Sequence, residues 1–326
     1  MKRRSVYMVA GIDAIDYAEI AIASLFVNCS DSITFTLITD SASDRDRYAA
    51  LLDRLPGETP WVTRSQAECD ALAEEVFRNV PHVRAFRLGH PCWRKITDPS
   101  LFAVPGSEVI VLDPDLYFPN AFHFEATPKG RLLLMRQRRH CLLPADVVRA
   151  AFQTGLPIAH HTDIGVAQHD ELPWPWIDSL IAQLGGTDLP RVAHVESILW
   201  AMIAMKIGGG YLSPRAWACW ERTLGKRLLM LLGFSGPGML RLERTSRLKC
   251  FHASSGAKEW LVAAHEAGIF HAGEPRLAPV DPEPFVAIGR AEYEAGERMK
   301  GRYHAMMRGL RVRDPFQGPA GKLSDS

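Results

Sequence analysis

The chain has 326 residues, of which 47% are apolar, so it can bury the core of one large α/β domain or of two small ones. Its 38 basic residues nearly balance its 37 acidic residues, which excludes an overall field that draws the molecule to nucleic acid or to an anionic membrane. Any recognition of polyanions must therefore be local, and we expect no nucleic-acid partner. The six cysteines are widely scattered without metal-ligand spacing, which indicates reduced thiols.

The N-terminus, MKRRSVYMVAGID, begins as a signal peptide would, but its apolar run ends at Asp13 after about seven residues. A first β-strand is therefore the better interpretation. No stretch of roughly 18 apolar residues occurs without charge, so the sequence predicts no transmembrane helix. We expect a cytoplasmic protein, with peripheral contact at the inner face of the membrane as the alternative.

The first 120 residues alternate between strand-like and helix-like patterns, which is typical of βαβ units and a mainly parallel sheet. Val6 to Ala10 predicts a strand, and the spacing after it predicts a helix over residues 16–28 with Asp16 and Glu19 as its N-terminal cap. SITFTLITD and EVIVLD predict further strands. DRDRYAALLDRL and SQAECDALAEEVFRN predict helices, and HPCWRKITDPSLFAVPG predicts a helix or a turn.

Beyond residue 120, GRLLLMRQ and HTDIGVAQHD predict strands, and VVRAAFQ, PWPWIDSLIAQL and HVESILWAMIAMKI predict helices. The glycines from Gly208 to Gly210 predict the end of the last helix. The stretch LGKRLLMLLGFSGPGMLRLERTSR mixes apolar residues with Arg and Lys. It favours a buried helix with a basic edge over an element that touches a membrane or an acceptor lipid.

Aspartates follow three of the predicted strands. Asp13 and Asp16 follow the first strand, Asp40 follows SITFTLIT, and Asp113 and Asp115 follow EVIVL. Because ligands gather at the carboxyl ends of parallel strands, we expect these side chains to converge on one edge of the sheet.

The stretch VIVLDPDLYF places Asp113 and Asp115 on either side of Pro114, which stiffens the chain where it leaves the sheet. Side chains two apart on extended backbone point the same way, so both carboxylates can face one cation. Hard divalent ions such as Mg²⁺ and Mn²⁺ prefer carboxylate and phosphate oxygens. Asp-Pro-Asp is also a common turn, so the pair alone leaves both interpretations open.

Two stretches together carry a family resemblance. WRKITDPSLFAVPGSEVIVLDPDLYFPN resembles the donor-site stretch of the GT-A glycosyltransferases, especially the family 8 group of glycogenin and the lipopolysaccharide galactosyltransferases. LKCFHASSGAKEW resembles that family's closing motif, whose positions here are His252, Gly256, Lys258 and Trp260. The resemblance implies an α/β, Rossmann-like GT-A fold with a mainly parallel central sheet flanked by helices and with helical additions in the C-terminal half.

The resemblance also implies a ligand set. Asp113, Asp115 and His252 would hold a divalent metal, Mn²⁺ or Mg²⁺, while Gly256 and Lys258 would contact the diphosphate. The neutral imidazole nitrogen of His252 suits a metal ligand, and the mobile ammonium of Lys258 suits a contact with phosphate oxygens.

Nucleotide contacts are implied at the N-terminus, because AGIDAIDYAEI resembles the family's A-T-D-x-x-Y segment. The candidates are Val9, Ala10, Gly11 and Asp16, although Gly11 and Ile12 depart from the family pattern. Lys95, preceded by Arg94, is the candidate cation that accompanies the nucleotide. The alternative is a solvated basic pair.

Two other segments match more weakly. HTDIGVAQHDE corresponds to the family's strand that lines the donor sugar, with Thr162, Asp163 and Gly165 at its positions. HVESILWAM corresponds to an acidic element at the start of a helix, with Glu196 as the nearest equivalent and Val195 as a departure. Asp163 or Glu196 is the candidate catalytic polar group beneath the sugar, and the sequence does not separate them.

The resemblance implies a metal-dependent enzyme that transfers a hexose from a nucleoside diphosphate sugar, with a UDP-sugar expected, to an acceptor hydroxyl with retention of configuration. A glycan, a lipid-linked or a protein acceptor is left open. One domain is predicted over residues 1–310, with a nucleotide-binding half over 1–120 and a sugar and acceptor half over 121–310. A flexible tail is predicted over 311–326.

Two other classes of function stay open. The departures at Gly11 and Glu196 are compatible with a GT-A-like nucleotide-sugar-binding protein that has lost turnover. A phosphohydrolase of the haloacid dehalogenase kind also carries D-x-D after an apolar strand, but Tyr117 stands where that family has a threonine or valine.

Overall fold

The structure is a computed structural model that describes residues 3–138, 141–270 and 273–309. The strands in these residues are β1 (Arg4–Val9), β2 (Ile33–Thr39), β3 (Trp61–Ser65), β4 (Val109–Leu112), β5 (Leu116–Tyr117), β6 (Asn120–Phe122), β7 (Leu132–Arg136), β8 (Thr162–His169), β9 (Gly209–Tyr211), β10 (Trp217–Cys219), β11 (Cys250–His252), β12 (Gly273–Leu277) and β13 (Glu283–Pro284). The helices are α1 (Ile15–Asn28), α2 (Ala42–Leu52), α3 (Gln66–Val76), α4 (Pro81–Arg87), α5 (Arg94–Phe102), α6 (Ala145–Gln153), α7 (Trp174–Leu184), α8 (Val195–Ile207), α9 (Leu224–Leu231), α10 (Pro237–Leu240), α11 (Lys258–Glu266) and α12 (Arg290–Gly309).

A central sheet of eight strands runs through the described residues in the order β13-β9-β7-β8-β4-β1-β2-β3. β1 pairs in parallel with β2 and β4, and β2–β3 and β7–β9 are also parallel pairs. β8 and β13 run against their neighbours. Six of the eight strands therefore point in one direction, which confirms the mainly parallel α/β sheet predicted from the sequence.

Both faces of this sheet are buried. In β1, Tyr7 and Val9 belong to one apolar cluster, whereas Val6 and Met8 belong to the other. Alternate side chains of a strand point to opposite faces, so strands covered on both sides need continuous apolar runs. This is why the EVIVLD stretch contains no alternating polar positions.

A small second sheet sets the geometry of the site. Its order is β10-β11-β5, and it pairs His252 with Leu116 and with Cys219. The amide of Ala253 donates to the carbonyl of Asp115 at 2.9 Å. These backbone contacts bring the closing motif of the chain beside the Asp113–Asp115 turn.

The start of α1 corrects one prediction. The helix begins at Ile15, after a short 3-10 turn over Ile12–Ala14, and Ala14 occupies the N-cap with no side-chain hydrogen bond. Capping by Asp16 and Glu19 is therefore wrong. The preceding turn places those side chains inside the helix, where they follow the N-cap position.

The sequence prediction also missed some elements. β3 is an edge strand whose residues are mostly half-buried, so WVTRS shows neither an apolar run nor strict alternation. β9 directly follows Gly208, which has φ 72° and ends α8 as predicted. The short helix α4, begun by Pro81, was not predicted either.

The buried helix predicted over the apolar basic stretch is wrong for α9, whereas Met239 and Leu240 of the short helix α10 are buried. No residue of α9 is buried, and Leu224 is 85% exposed. Among the described residues, no helix combines the length and the hydropathy that crossing a bilayer requires. The tail predicted over 311–326 lies outside the described residues.

Candidate active site

The carboxyl edge of the sheet brings together Asp13, Asp40, Asp113 and Asp115, as the strand pattern predicted for these four residues. They surround a cavity of about 440 Å³. The charged residues that line it are Asp13, Asp40, Asp44, Lys95, Asp113, Asp115 and Lys258. Val9, Ala10 and Gly11 form part of its wall. Parallel strands place their C-terminal loops on one side, so the cavity occupies the usual ligand position of such a sheet.

Asp113, Asp115 and His252 come together at this cavity. One ligand atom from each lies within 4.8 Å of the other two. The Nε2 atom of His252 is 3.2 Å from Oδ1 of Asp115 and 3.8 Å from Oδ2 of Asp113. Residues 114 and 115 form a turn before β5, so the expectation of an extended Asp113–Asp115 segment is wrong. The turn still directs both carboxylates toward His252.

Asp163 fixes the orientation of His252. Its Oδ1 atom lies 2.8 Å from Nδ1 of His252 and accepts a hydrogen bond from the amide of Gly165 at 2.8 Å. Because Nδ1 is engaged by Asp163, Nε2 is the ring nitrogen that faces Asp113 and Asp115. A carboxylate behind a ligating histidine is a common way to orient the ring and raise its basicity.

Gly165 is required for this arrangement. A Cβ atom on Gly165 would lie 2.7 Å from Nδ1 of His252 and 3.1 Å from Oδ1 of Asp163. Any larger residue would therefore displace the imidazole. The carbonyl of Gly165 also accepts from the amide of Asp113 at 2.9 Å, so β8 positions both sides of the site.

The electrostatic environment of His252 attracts positive charge. Burial alone would lower the pKa of His252, but Asp163 and Asp115 raise it well above its usual value. Burial would likewise raise the pKa values of Asp115 and Asp163, and His252 instead lowers both. Two carboxylates and one imidazole nitrogen form a mixed oxygen and nitrogen donor set that fits a divalent ion such as Mn²⁺.

Lys95 bridges two buried carboxylates. Its Nζ atom lies 2.7 Å from Oδ1 of Asp113 and 3.0 Å from Oε2 of Glu196. Burial would lower the pKa of Lys95, but Asp113 and Glu196 raise it well above its usual value. The alternative of a solvated basic pair at Arg94 and Lys95 is therefore wrong, since both side chains are buried.

Comparison with known proteins addresses the fold. No protein-family model and no curated protein matches the chain. Mouse xyloside xylosyltransferase 1 has a similar structure, with a TM-score of 0.52, 13% identity, and coverage of 78% of this chain and 99% of that chain. The chain has a GT-A fold. At 13% identity, the likeness speaks for the fold alone, and it confirms the fold class predicted from the sequence.

Other solved structures are less similar. The apo form of the glycosyltransferase GlyE of Streptococcus pneumoniae TIGR4 has a TM-score of 0.45 and 13% identity, and the match covers 79% of this chain and 56% of that chain. The galactosyltransferase LgtC, in complex with donor and acceptor sugar analogues, has a TM-score of 0.43 and 13% identity, and the match covers 80% and 95%.

The two predicted catalytic residues of this GT-A chain lie behind the cavity wall. Asp163 is 2% exposed and contacts His252, while Glu196 is 1% exposed and contacts Lys95. Trp200 donates to Oε1 of Glu196 at 3.2 Å. Burial raises the pKa of Glu196 to about 8, with Lys95 opposing the rise and Asp113 adding to it. Neither residue is part of the cavity lining.

The predicted nucleotide contacts divide into two groups. The amide of Ala10 already donates to the carbonyl of Ile38 at 3.0 Å, and the carbonyl of Gly11 accepts from the Tyr48 hydroxyl at 2.9 Å. A Cβ atom on Gly11 would lie 2.4 Å from Oδ2 of Asp40, so glycine allows this close approach. Asp16, by contrast, is exposed on α1 and does not line the cavity.

The closing motif is also divided. Lys258 begins α11, lines the cavity and lies over the Tyr17 ring, with Nζ 5.8 Å from the ring centroid. Gly256 lies in the preceding 3-10 turn, Ser255–Ala257, and does not line the cavity. Lys258 is therefore the residue of this pair that is placed to meet an anion.

Sequence reasoning assigned no role in the site to Cys219, and it named Arg94 only as the neighbour of Lys95. Cys219 joins Asp163 and His252 in a second group of ligand atoms within 4.8 Å of one another. Burial raises the pKa of Cys219 to about 12, and the Asp163 charge contributes. Arg94 is buried and donates to Asp40 at 2.9 Å and to Asp98 at 2.9 Å, so it holds the β2 loop. Only the fold brings Cys219 to His252 and Arg94 to Asp40, because these partners are distant in sequence.

Proposed function

We propose that the chain is a metal-dependent glycosyltransferase that moves a hexose from a UDP-sugar to an acceptor hydroxyl with retention of configuration. The observation that carries this proposal is the group formed by Asp113, Asp115 and His252 beside the cavity at the carboxyl edge of a GT-A sheet. One solved structure with a similar fold is described as a xylosyltransferase, which supports the reaction class. The resemblance to family 8 supports the retaining outcome.

The three residues would hold a divalent ion, Mn²⁺ or Mg²⁺. When bound, such an ion neutralises the charge that develops on a diphosphate leaving group. Asp113 offers Oδ2, because Lys95 engages its Oδ1. His252 offers Nε2, because Asp163 engages its Nδ1. Each of these two ligands is thus held in place through its other polar atom.

Lys258 is our candidate for direct contact with the diphosphate. It lines the cavity at the start of α11, across from the loops of β1 and β4. A flexible ammonium supplies a point charge to phosphate oxygens without demanding one geometry. The side chain can therefore follow the phosphate as the bond to the sugar breaks.

We assign Asp163 and Glu196 positioning roles in place of the predicted contact with the sugar. Asp163 sets the imidazole of His252, and Glu196 sets the ammonium of Lys95. In this account the protein contributes mainly positioning and charge stabilisation. Neither carboxylate removes the proton of the acceptor hydroxyl. The leaving diphosphate acts as that base.

The test is release of nucleoside diphosphate from a panel of UDP-, GDP- and dTDP-sugars in the presence of Mn²⁺. We expect release from a UDP-sugar, its loss in Asp115→Ala, and its retention in Asp188→Ala, which removes an exposed aspartate outside the cavity. Binding of a nucleotide-sugar without release would instead identify a binding protein that has lost turnover. Binding of no nucleotide would contradict both functions.

A further inference from the structure

The helix α9 and the loop after it expose a continuous apolar surface. Its large side chains are Leu224, Leu228, Leu231, Leu232 and Phe234, which are 85%, 58%, 54%, 67% and 58% exposed. We call this surface the leucine face. Side chains at i, i+4 and i+7 lie on one side of a helix, so Leu224, Leu228 and Leu231 form a single stripe.

The opposite side of α9 is attached to the protein. Leu229 and Met230 pack against the apolar cluster that contains Trp220. Lys226 forms an ion pair with Glu243 and lies over the Trp220 ring, with Nζ 4.1 Å from the ring centroid. These contacts fix which side of the helix faces outward, so the leucine face is a stable feature of the surface.

Basic residues are concentrated in the segment that carries this face. Residues 221–247 contain six basic and two acidic residues, whereas the rest of the chain contains 32 basic and 35 acidic residues. Arg241, Arg244 and Arg247 are exposed on the segment that follows α10. A helix with an apolar face and flanking Arg and Lys is typical of elements that lie in the interface of an anionic membrane.

We propose that the leucine face docks on an anionic phospholipid membrane, with the exposed arginines of the same segment contacting the headgroups. Charge favours this occupant over a second copy of the chain. A symmetric dimer through the leucine face would bring two segments of net charge +4 together, and like charges repel. An anionic bilayer instead offers both apolar burial and charge complementarity.

The docking surface adjoins the candidate site. The amide of Trp220, four residues before α9, donates to the carbonyl of His252 at 2.8 Å. Nη2 of Arg222 lies 3.5 Å from the hydroxyl of Ser255, three residues before Lys258. These contacts join the segment that carries the leucine face directly to the residues of the candidate site. If the proposed function holds, on which this step alone rests, a lipid-linked hydroxyl becomes the acceptor within reach.

The test is flotation of the full chain with phosphatidylcholine vesicles that contain or lack phosphatidylglycerol. We expect binding to the anionic vesicles and a reduction on the order of tenfold or more in Leu228→Ser/Leu232→Ser. Arg241→Ser/Arg244→Ser should lose the preference for anionic vesicles, and added salt should do the same to the unmodified chain. The matched control is Val27→Ser/Val104→Ser, which changes two valines that are 63% and 71% exposed elsewhere.

Three results would overturn the proposal. The first is that the unmodified chain does not bind anionic vesicles. The second is that Leu228→Ser/Leu232→Ser binds them as well as the unmodified chain does. The third is that the unmodified chain forms a concentration-dependent dimer and the leucine variant is a monomer. Nucleoside diphosphate release without vesicles is measured on the same samples. If the chain releases nucleoside diphosphate but does not bind vesicles, only the membrane-docking proposal is rejected. If it binds vesicles but releases no nucleoside diphosphate, only the proposed function is rejected.

Discussion

The Nδ1 atom of His252 lies 2.8 Å from Oδ1 of Asp163, while its Nε2 atom faces Asp115 at 3.2 Å. One imidazole thus joins a buried carboxylate on β8 to a carboxylate in the turn after β4. His252 and Asp115 are therefore placed to contact a metal ion, whereas Asp163 is placed to orient His252.

Replacing Asp163 with Asn keeps the size of the side chain and removes the charge behind His252. We expect the affinity for Mn²⁺ to fall roughly 10- to 100-fold, because a residue behind a metal ligand has effects of this size. Isothermal titration with Mn²⁺ measures it. Glu171→Gln, which neutralises an exposed carboxylate just after β8, is the control and should bind as the unmodified chain does. Equal affinities in both variants would remove Asp163 from this role.

Replacing Gly165 with Ala should displace the imidazole of His252, because the new Cβ would lie 2.7 Å from Nδ1. Overpacking at a buried contact destabilises by about 1–3 kcal/mol, so we expect this loss together with weaker Mn²⁺ binding. Urea unfolding and metal titration are the two measurements. Gly296→Ala is the control, since its Cβ would meet open space within α12 and alanine favours a helix. Unchanged metal affinity in Gly165→Ala would mean that His252 is not held as described.

Sequence patterns predicted the parts of this site that depend on residues close together in the chain. The continuous apolar runs of β1 and β4 located the strands, and the aspartates after them located the cavity edge. The role of Asp163 was not predictable in the same way. Its contact with His252 spans 89 residues and depends on how β8 and β11 meet.

Other failures have different physical causes. The many leucines of α9 are typical of a buried helix. Only the fold shows that α9 packs on the protein through Leu229 and Met230 and leaves its other side exposed. Cys219 reaches the site through its register with His252 in a two-strand pairing that no local pattern indicates. Asp16 was predicted from the resemblance of AGIDAIDYAEI to a nucleotide-binding segment. In the structure, the 3-10 turn over Ile12–Ala14 precedes Asp16, and the Asp16 side chain is exposed to solvent.

The ion pair beneath β11 should be important for stability. Nζ of Lys249 is 2.6 Å from Oε1 of Glu125 and 2.8 Å from the carbonyl of His123, and the lysine side chain is fully buried. Lys249→Met leaves a buried carboxylate without its partner, so we expect a loss of about 3–5 kcal/mol in the free energy of unfolding. Urea denaturation measures it.

Adding Glu125→Gln to Lys249→Met provides the control for this ion pair. The double variant removes the stranded charge and should recover part of the lost stability. A double variant that is less stable than Lys249→Met would contradict the account, because the loss would then come from packing alone.

His169 should make the stability of the protein depend on pH. Burial lowers the pKa of His169 from 6.5 to about 4, with Asp170 opposing slightly. The unfolded chain therefore takes up a proton first as the pH falls, so the contribution is complete above pH 6.5 and is lost toward pH 4. The expected loss is ~3 kcal/mol.

Urea unfolding at pH 5 and at pH 7.5 measures this effect. His169→Phe removes the titrating group and should reduce the difference between the two pH values. His265→Gln, which changes an exposed histidine, should leave that difference unchanged. If His169→Phe keeps the full pH dependence, the loss at low pH has another source.

The central claim is that Asp113, Asp115 and His252 hold a metal ion that binds the diphosphate of a nucleotide-sugar. The most direct test is the melting temperature with Mn²⁺ and a UDP-sugar, each alone and together, for the unmodified chain and for Asp115→Ala. A ligand at about 100 times its Kd adds about 2.7 kcal/mol to stability. We predict a rise with both ligands in the unmodified chain, and no metal-dependent part of that rise in Asp115→Ala. An equal metal-dependent rise in the two proteins would contradict the account.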